Sequence, residues 1–205
     1  MSIFSIAAKG GFIMILLFAI SIFAVAIIIE RIIKLKKAKT NEDEFLGDIY
    51  SMLGEGDYKK ALRLCQIRES SPVARICAKG LWAVDLGMGD VKEAVETAAG
   101  SELHALQKNL GTLSTFSAIA PLLGFLGTVT GMVKVFKRIQ ETGGGVDISL
   151  LAGGIWEAMI TTIGGLAVGI LTILCYNYLI SKIEEITIDL EEKSTEFILR
   201  IRNLK

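Results

Sequence analysis

Three stretches of this chain are nearly empty of charge, and they restrict what it can fold into more than any other feature. Residues 10–29 and 109–133 carry no charged side chain, and residues 148–181 carry only Glu157. An apolar run of about 18 residues or more is long enough to cross a bilayer as a helix. Lipid offers no partner to a backbone N–H or C=O, so such a run pairs its own backbone groups by becoming helical. The sequence therefore predicts an all-α protein with three transmembrane helices, over about 11–33, 113–135 and from 148 onward.

Composition excludes several alternatives. Apolar residues make up 52% of the 205 positions and charged ones 21%, with the charges crowded between the apolar runs. Twenty-two basic residues balance 22 acidic ones, so no basic surface points to nucleic acid. The single histidine, His104, reads as a surface residue. Cys65, Cys77 and Cys175 have neither CxxC spacing nor a nearby histidine and read as buried thiols. No metal or cofactor is expected. The spans hold no aspartate pair and no Ser/His combination, which argues against an intramembrane enzyme.

The first apolar run must be weighed as a signal peptide, because Ala24-Val25-Ala26 has the small-x-small form of a cleavage site. Only Lys9 precedes the run, however, while Arg31, Lys34, Lys36, Lys37 and Lys39 follow it. It reads as a retained anchor. The same asymmetry places the N-terminus outside and the following segment in the cytoplasm. Lys134, Lys137 and Arg138 fall in the short outer loop, against this orientation. The resulting division is an N-terminal transmembrane helix (1–33), a cytoplasmic helical region (34–110), a two-span core (111–181) and a cytoplasmic C-terminal helix (182–205).

The cytoplasmic region is punctuated into helices. One runs from Asn41 to Leu53 and stops at Gly54-Glu55-Gly56. Asp57 can cap the next, Ser71 followed by Pro72 opens another, and Gly87-Met88-Gly89 closes it before the cap Asp90. From Val91 to Leu113 apolar residues recur at threes and fours, which predicts one helix running on into span two. Span three is apolar over 148–180, 33 residues or about 50 Å as a helix. That exceeds a bilayer core, and the acidic stretch 184–196 predicts projection into the cytoplasm. Long helices should thus extend from the membrane into a cytoplasmic helical collar.

The spans differ in character. Span one is rich in Ile, Leu, Phe and Val, as suits acyl chains. Spans two and three carry small and hydroxyl residues: Gly124, Gly127, Thr128, Thr130 and Gly131 in one, Thr161, Thr162, Gly165 and Gly169 in the other. Small residues let backbones approach and hydroxyls bond across the contact. Gly127–Gly131 and Gly165–Gly169 are GxxxG pairs, so these two spans should pack together and line an interior.

Glu157 is the candidate functional residue. An ionisable group at the centre of a span costs about 2.5–3.5 kcal/mol to insert, so one that persists usually serves a site. Burial disfavours the charged carboxylate, which suits such a group to take up and release a proton. Thr161 lies one turn further on the same face, with Thr162 beside it, and Thr128 and Thr130 could extend a polar track. The structural alternatives are an acid paired with a neighbouring group, and threonines bonded to their own helix. Trp156 reads as an interface or packing residue.

At these positions the sequence resembles the MotA/TolQ/ExbB proton channel family, and most of all its ExbB and TolQ branch. The matching stretches are Ala120-Pro121-Leu122-Leu123-Gly124-Phe125-Leu126-Gly127-Thr128-Val129-Thr130-Gly131-Met132 and Gly154-Ile155-Trp156-Glu157-Ala158-Met159-Ile160-Thr161-Thr162-Ile163-Gly164-Gly165-Leu166, followed by Tyr176-Asn177. The resemblance runs from Ser71 to about Asn177. It implies a homopentamer in the bacterial inner membrane around a single-span ExbD/TolR-like partner with a membrane aspartate. It further implies that ion flow powers transport or envelope work, with a TonB-like protein among the associated partners. By position it matches Glu157 to the family's pore glutamate, Thr128 to its span-two threonine and Thr162 to its span-three threonine, whereas helical spacing favours Thr161. Leu171 stands where the family commonly has proline, and Trp156 where a small residue is frequent. The flagellar MotA branch, with four spans, fits less well. A passive membrane scaffold is the competing reading, and neutralising Glu157 separates the two.

Overall fold

The computed structural model describes residues 11–38, 42–86, 90–142 and 148–203. Lys9, Lys39, Asn41 and the stop at Gly87-Met88-Gly89 lie outside them. The described chain forms seven helices: α1 (Gly11–Ala38), α2 (Glu42–Gly54), α3 (Tyr58–Ile67), α4 (Pro72–Asp85), α5 (Val91–Gln107), α6 (Leu110–Glu141) and α7 (Ile148–Asn203). No strand occurs among the described residues. Three segments are long and apolar enough to cross a membrane: α1, the stretch from α5 through α6, and α7. At 56 residues, α7 is about 84 Å long.

The chain divides into two compact units, each with its own packing. One takes the chain up to Ile29 together with Asn109–Tyr178; the other takes Glu30–Lys108 and Leu179–Lys205.

In the first unit, α6 and α7 meet along a seam of small residues. The buried positions of α6 are Leu110, Leu113, Ser117, Ala120, Gly124, Gly127, Gly131 and Val135, spaced by threes and fours as one helical face requires. They oppose Ala158, Thr161, Gly165 and Gly169 of α7. A Cβ on Gly165 would stand 2.5 Å from the Ala120 carbonyl oxygen and 2.8 Å from Gly124 Cα. A Cβ on Gly131 would come within 2.8 Å of Ala158 Cβ, and one on Gly169 within 2.5 Å of Pro121 Cγ. Glycine is thus required because the two backbones lie closer than side chains would permit. Helix α1 touches α7 where Met14 and Leu17 reach Gly164, while Phe12, Ile15, Phe18, Ile22 and Phe23 stay exposed. That outward face suits acyl chains.

The second unit is organised by capped short helices. Asp57 accepts from the Lys60 N–H at 3.0 Å, Ser71 from Ala74 N–H at 3.4 Å and Asp90 from Glu93 N–H at 3.2 Å, each satisfying an otherwise orphaned donor at a helix start. Phe45, Ile49, Ile76, Leu81 and Phe197 are buried in its core. Gly80 lets α4 close on α5 and α7: a Cβ there would stand 2.7 Å from both Phe197 Cε1 and Val95 Cγ2.

The expected single helix from Val91 into span two is broken. Lys108 turns extended (φ −51°, ψ 139°) and Asn109 is left-handed (φ 65°), a conformation asparagine tolerates better than other residues with a side chain. The break coincides with the boundary between the units. It is supported by Arg31, which the sequence counts among the basic residues that follow span one. Arg31 is instead fully buried. Its Nη1 donates to the carbonyls of Ala105 at 2.9 Å and Leu106 at 3.3 Å, and Nη2 donates to Glu30 at 2.7 Å. Carbonyls in the last turn of a helix lack intrahelical partners and carry the negative end of its dipole, so a guanidinium there satisfies both needs.

Candidate functional site

Glu157 lies ten positions into α7 and is the sole charge of residues 148–181. It faces a cavity of about 270 Å³ lined by Gly131, Lys134, Val135 and Arg138 of α6 and by Leu151, Gly153, Gly154 and Glu157 of α7. Lys134 Nζ stands 3.6 Å from Glu157 Oε1. Gly11, with φ +63°, opens α1 beside the same carboxylate: a Cβ there would come within 2.9 Å of Oε1.

The Glu157 side chain is 36% exposed. The reason is register: one residue turns a helix by about 100°, and Ala158 and Thr161, not Glu157, occupy the seam. The carboxylate therefore sits at the edge of the contact, where the cavity opens.

The threonines separate into two groups. Thr162 donates to the Gly124 carbonyl at 2.9 Å, and Thr161 donates to Ala158 at 2.7 Å and reaches Gly124 at 3.5 Å. Gly124 thus receives both hydroxyls across the seam. Gly127 packs directly on the Thr161 side chain. Thr128 donates to Phe125 at 2.6 Å, and Thr130 to Leu126 at 2.9 Å and Gly127 at 3.1 Å. Neither hydrogen-bonds to Glu157, and Thr130 is exposed on α6. Trp156 is half-exposed beside Glu157 on α7.

A polar cluster in the second unit was invisible in the sequence. Lys193 Nζ bonds Glu42 at 3.0 Å and Asp189 at 2.9 Å, and Ser71 donates to Glu42 at 3.4 Å. Burial pushes the Glu42 carboxyl above its ordinary range against the pull of Lys193. Burial likewise opposes the Lys193 charge, but Asp189 and Glu42 outweigh it and hold the proton more tightly than usual. The lysine lies 151 positions from Glu42, a separation that no local pattern betrays. Cys65 and Cys77 are buried, and burial raises both thiols, Cys65 to about 12, so neither is a nucleophile at neutral pH.

A model of the MotA/TolQ/ExbB proton channel family matches residues 68–192, well over half of the chain and inclusive of the whole glycine seam and Glu157. The chain belongs to that family. It is 32% identical over 179 residues to a biopolymer transport ExbB homolog of Methanothermobacter thermautotrophicus, covering 86% of this chain and 62% of that protein. It is 31% identical over 175 residues to the ExbB-like 1 protein of Synechocystis, covering 84% and 68%. It is also 28% identical over 207 residues to the Tol-Pal system protein TolQ of Haemophilus influenzae, covering 90% and 85%. The chain thus spans a little under two thirds of the Methanothermobacter protein's length. These matches set it on the ExbB/TolQ side of a family of multi-pass membrane channel subunits, which is not a family of enzymes.

Proposed function

We propose that this chain is the proton-conducting subunit of an inner-membrane complex that uses the proton motive force to drive transport or envelope work. The observation that carries the reading is the placement of Glu157. It is the one charged side chain of residues 148–181, and its carboxylate opens on a cavity between α6 and α7. A carboxyl so placed can be reached by a proton, whereas one sealed in the seam could not exchange.

In this reading the first unit is the membrane part and the second a cytoplasmic collar, with the N-terminus periplasmic and the C-terminus cytoplasmic. Copies of the chain, five by family resemblance, surround an ExbD/TolR-like single-span partner whose membrane aspartate meets Glu157, and a TonB-like protein acts further on. Thr161 and Thr162 fix α7 against the Gly124 carbonyl one turn beyond the acid, and so hold Glu157 at the cavity edge. Thr128 and Thr130 lie off the seam and would face the pore or a neighbouring copy.

Co-purification with the single-span partner, followed by gradient-driven activity of wild type and Glu157→Gln, tests the proposal. The variant should assemble normally and lose the activity. A variant that assembles and still works would make the protein a passive scaffold.

A further inference from the structure

The α4–α5 hairpin of the second unit has two faces, and its own chain covers only one of them. On the covered face Gly80 of α4 admits the ring of Phe197 from α7, with Val95 of α5 beside it. The opposite face is an open groove of about 1180 Å³, larger than the roughly 300–1,000 Å³ of a small-molecule pocket. Its floor is made of the small residues Ala78, Ala94 and Ala98, and Trp82 stands in its wall, 51% exposed. Small residues at a contact let a second helix backbone come close.

Helix α7 likewise has an unused side. A helix turns by about 100° per residue, so Leu199 points about 200° away from Phe197 and Ile188 about 180° away. Both are exposed, at 46% and 66%, and the exposed Glu192 and Arg202 share that side. Hairpin and helix thus form two layers with an apolar surface left on each outer side.

The two outer surfaces carry charge in complementary order. In the groove, Asp90 and Glu93 lie on the side of Trp82 toward the α4–α5 connection, and Lys79 and Arg75 lie on the other. Lys79 Nζ sits 5.9 Å over the Trp82 ring, and Arg75 bonds Glu102 at 2.5 Å. On α7, Arg202 lies about one turn beyond Leu199 and Glu192 about two turns before it. A helix laid in the groove with Leu199 on Trp82 brings Arg202 to Glu93 and Glu192 toward Lys79 and Arg75. Laid the other way round, it would set like charges together. The chain's own α7 cannot take this place, because Phe197 holds it on the covered face.

We propose that the outer groove of α4–α5 receives the outer side of α7 from a second copy of this chain. This rests on the reading that several copies assemble, and it supplies a contact that joins neighbours. The two surfaces differ, so the contact is head-to-tail, the kind that builds rings.

The test co-expresses two tagged forms of the full-length chain, one carrying Trp82→Cys and the other Leu199→Cys, and treats the membranes with a short bis-maleimide. A species bearing both tags should form several-fold above the wild-type background, and each variant expressed alone should stay at that background. Cys65 and Cys77 add little to it, since burial raises both thiols. Lys79→Cys paired with Glu192→Cys, both at exposed positions, should behave alike and covers the case in which the first pair disturbs folding. Glu93→Lys should reduce the product, and Arg202→Glu in the same chains should bring it back. Cysteines in the groove that link to nothing, or only to a protein of another kind, would overturn the proposal, as would a product unmoved by Glu93→Lys. Native mass spectrometry of the same membranes separates the two levels. An oligomer without these cross-links sinks this contact alone, whereas a monomer sinks the assembly reading with it.

Discussion

The hydroxyl of Thr162 on α7 donates to the carbonyl oxygen of Gly124 on α6 at 2.9 Å, across 38 positions of sequence. This bond joins the two helices where their backbones are closest, because glycine at 124 and 165 leaves room for it. Interhelical hydrogen bonds of this kind in membrane proteins average about 0.6 kcal/mol and reach about 1.7. Thr162→Val should therefore cost about 0.5–1.5 kcal/mol. Thr161→Val should cost less, since Thr161 bonds chiefly within its own helix. Unfolding in mixed detergent micelles ranks the two, and the reverse order would contradict this geometry.

Alanine substitutions should divide the glycines by their surroundings. At Gly165 a methyl would meet the Ala120 carbonyl at 2.5 Å, and backbone cannot yield as a side chain tip can. Gly165→Ala should destabilise by about 1–3 kcal/mol, the usual cost of overpacking. At Gly100, inside α5, nothing lies within 4 Å, so Gly100→Ala should stabilise by about 0.5–1 kcal/mol through helix propensity. Thermal unfolding of the purified variants measures both signs.

Arg31 holds the broken end of α5 through the carbonyls of Ala105 and Leu106. Arg31→Met keeps much of the bulk but strands those acceptors, at a cost of about 2–3 kcal/mol. Arg31→Lys should recover little, because an ammonium lacks the planar fork that reaches Ala105, Leu106 and Glu30 together. Hydrogen exchange should show the loss first in the amides around Lys108 and Asn109.

Lys193 gives a pH signature. Its folded-state pKa is raised above the ordinary 10.5, since bonds to Asp189 and Glu42 outweigh burial. A raised base contributes stability that is complete below the unfolded value and disappears as pH climbs through the folded one. The melting-temperature advantage of wild type over Lys193→Met should stay level from neutral pH to about 10.5 and shrink above it. An advantage that grows with alkalinity would contradict the ion cluster.

Much of this architecture can be read from local signals. Charge-free runs mark the spans, and the glycines and threonines of two of them mark the α6–α7 seam. Asp57, Ser71 and Asp90 mark the helix starts they cap. The misreadings share one cause, which is that tertiary contact overrides local pattern. The apolar period from Val91 continues through Lys108–Asn109 although the backbone turns there, because the side chains keep their spacing while Arg31 satisfies the freed carbonyls. Arg31 itself counted as a flanking charge, since nothing near it in sequence foretells a partner 74 positions away. Glu157 stands out in the sequence as the lone charge of residues 148–181, but its place at the edge of the seam is not legible there, because a single position of register separates the seam from its edge.

Proton flux through liposomes containing the complex of wild type or Glu157→Gln, measured under an imposed membrane potential with a pH-sensitive dye, tests the central claim most directly. The wild-type complex should acidify the lumen when the potential is applied, and the glutamine variant, incorporated to the same level, should leave lumenal pH at the background of empty vesicles. Equal acidification by the two would show that protons cross without this carboxyl and would contradict the account.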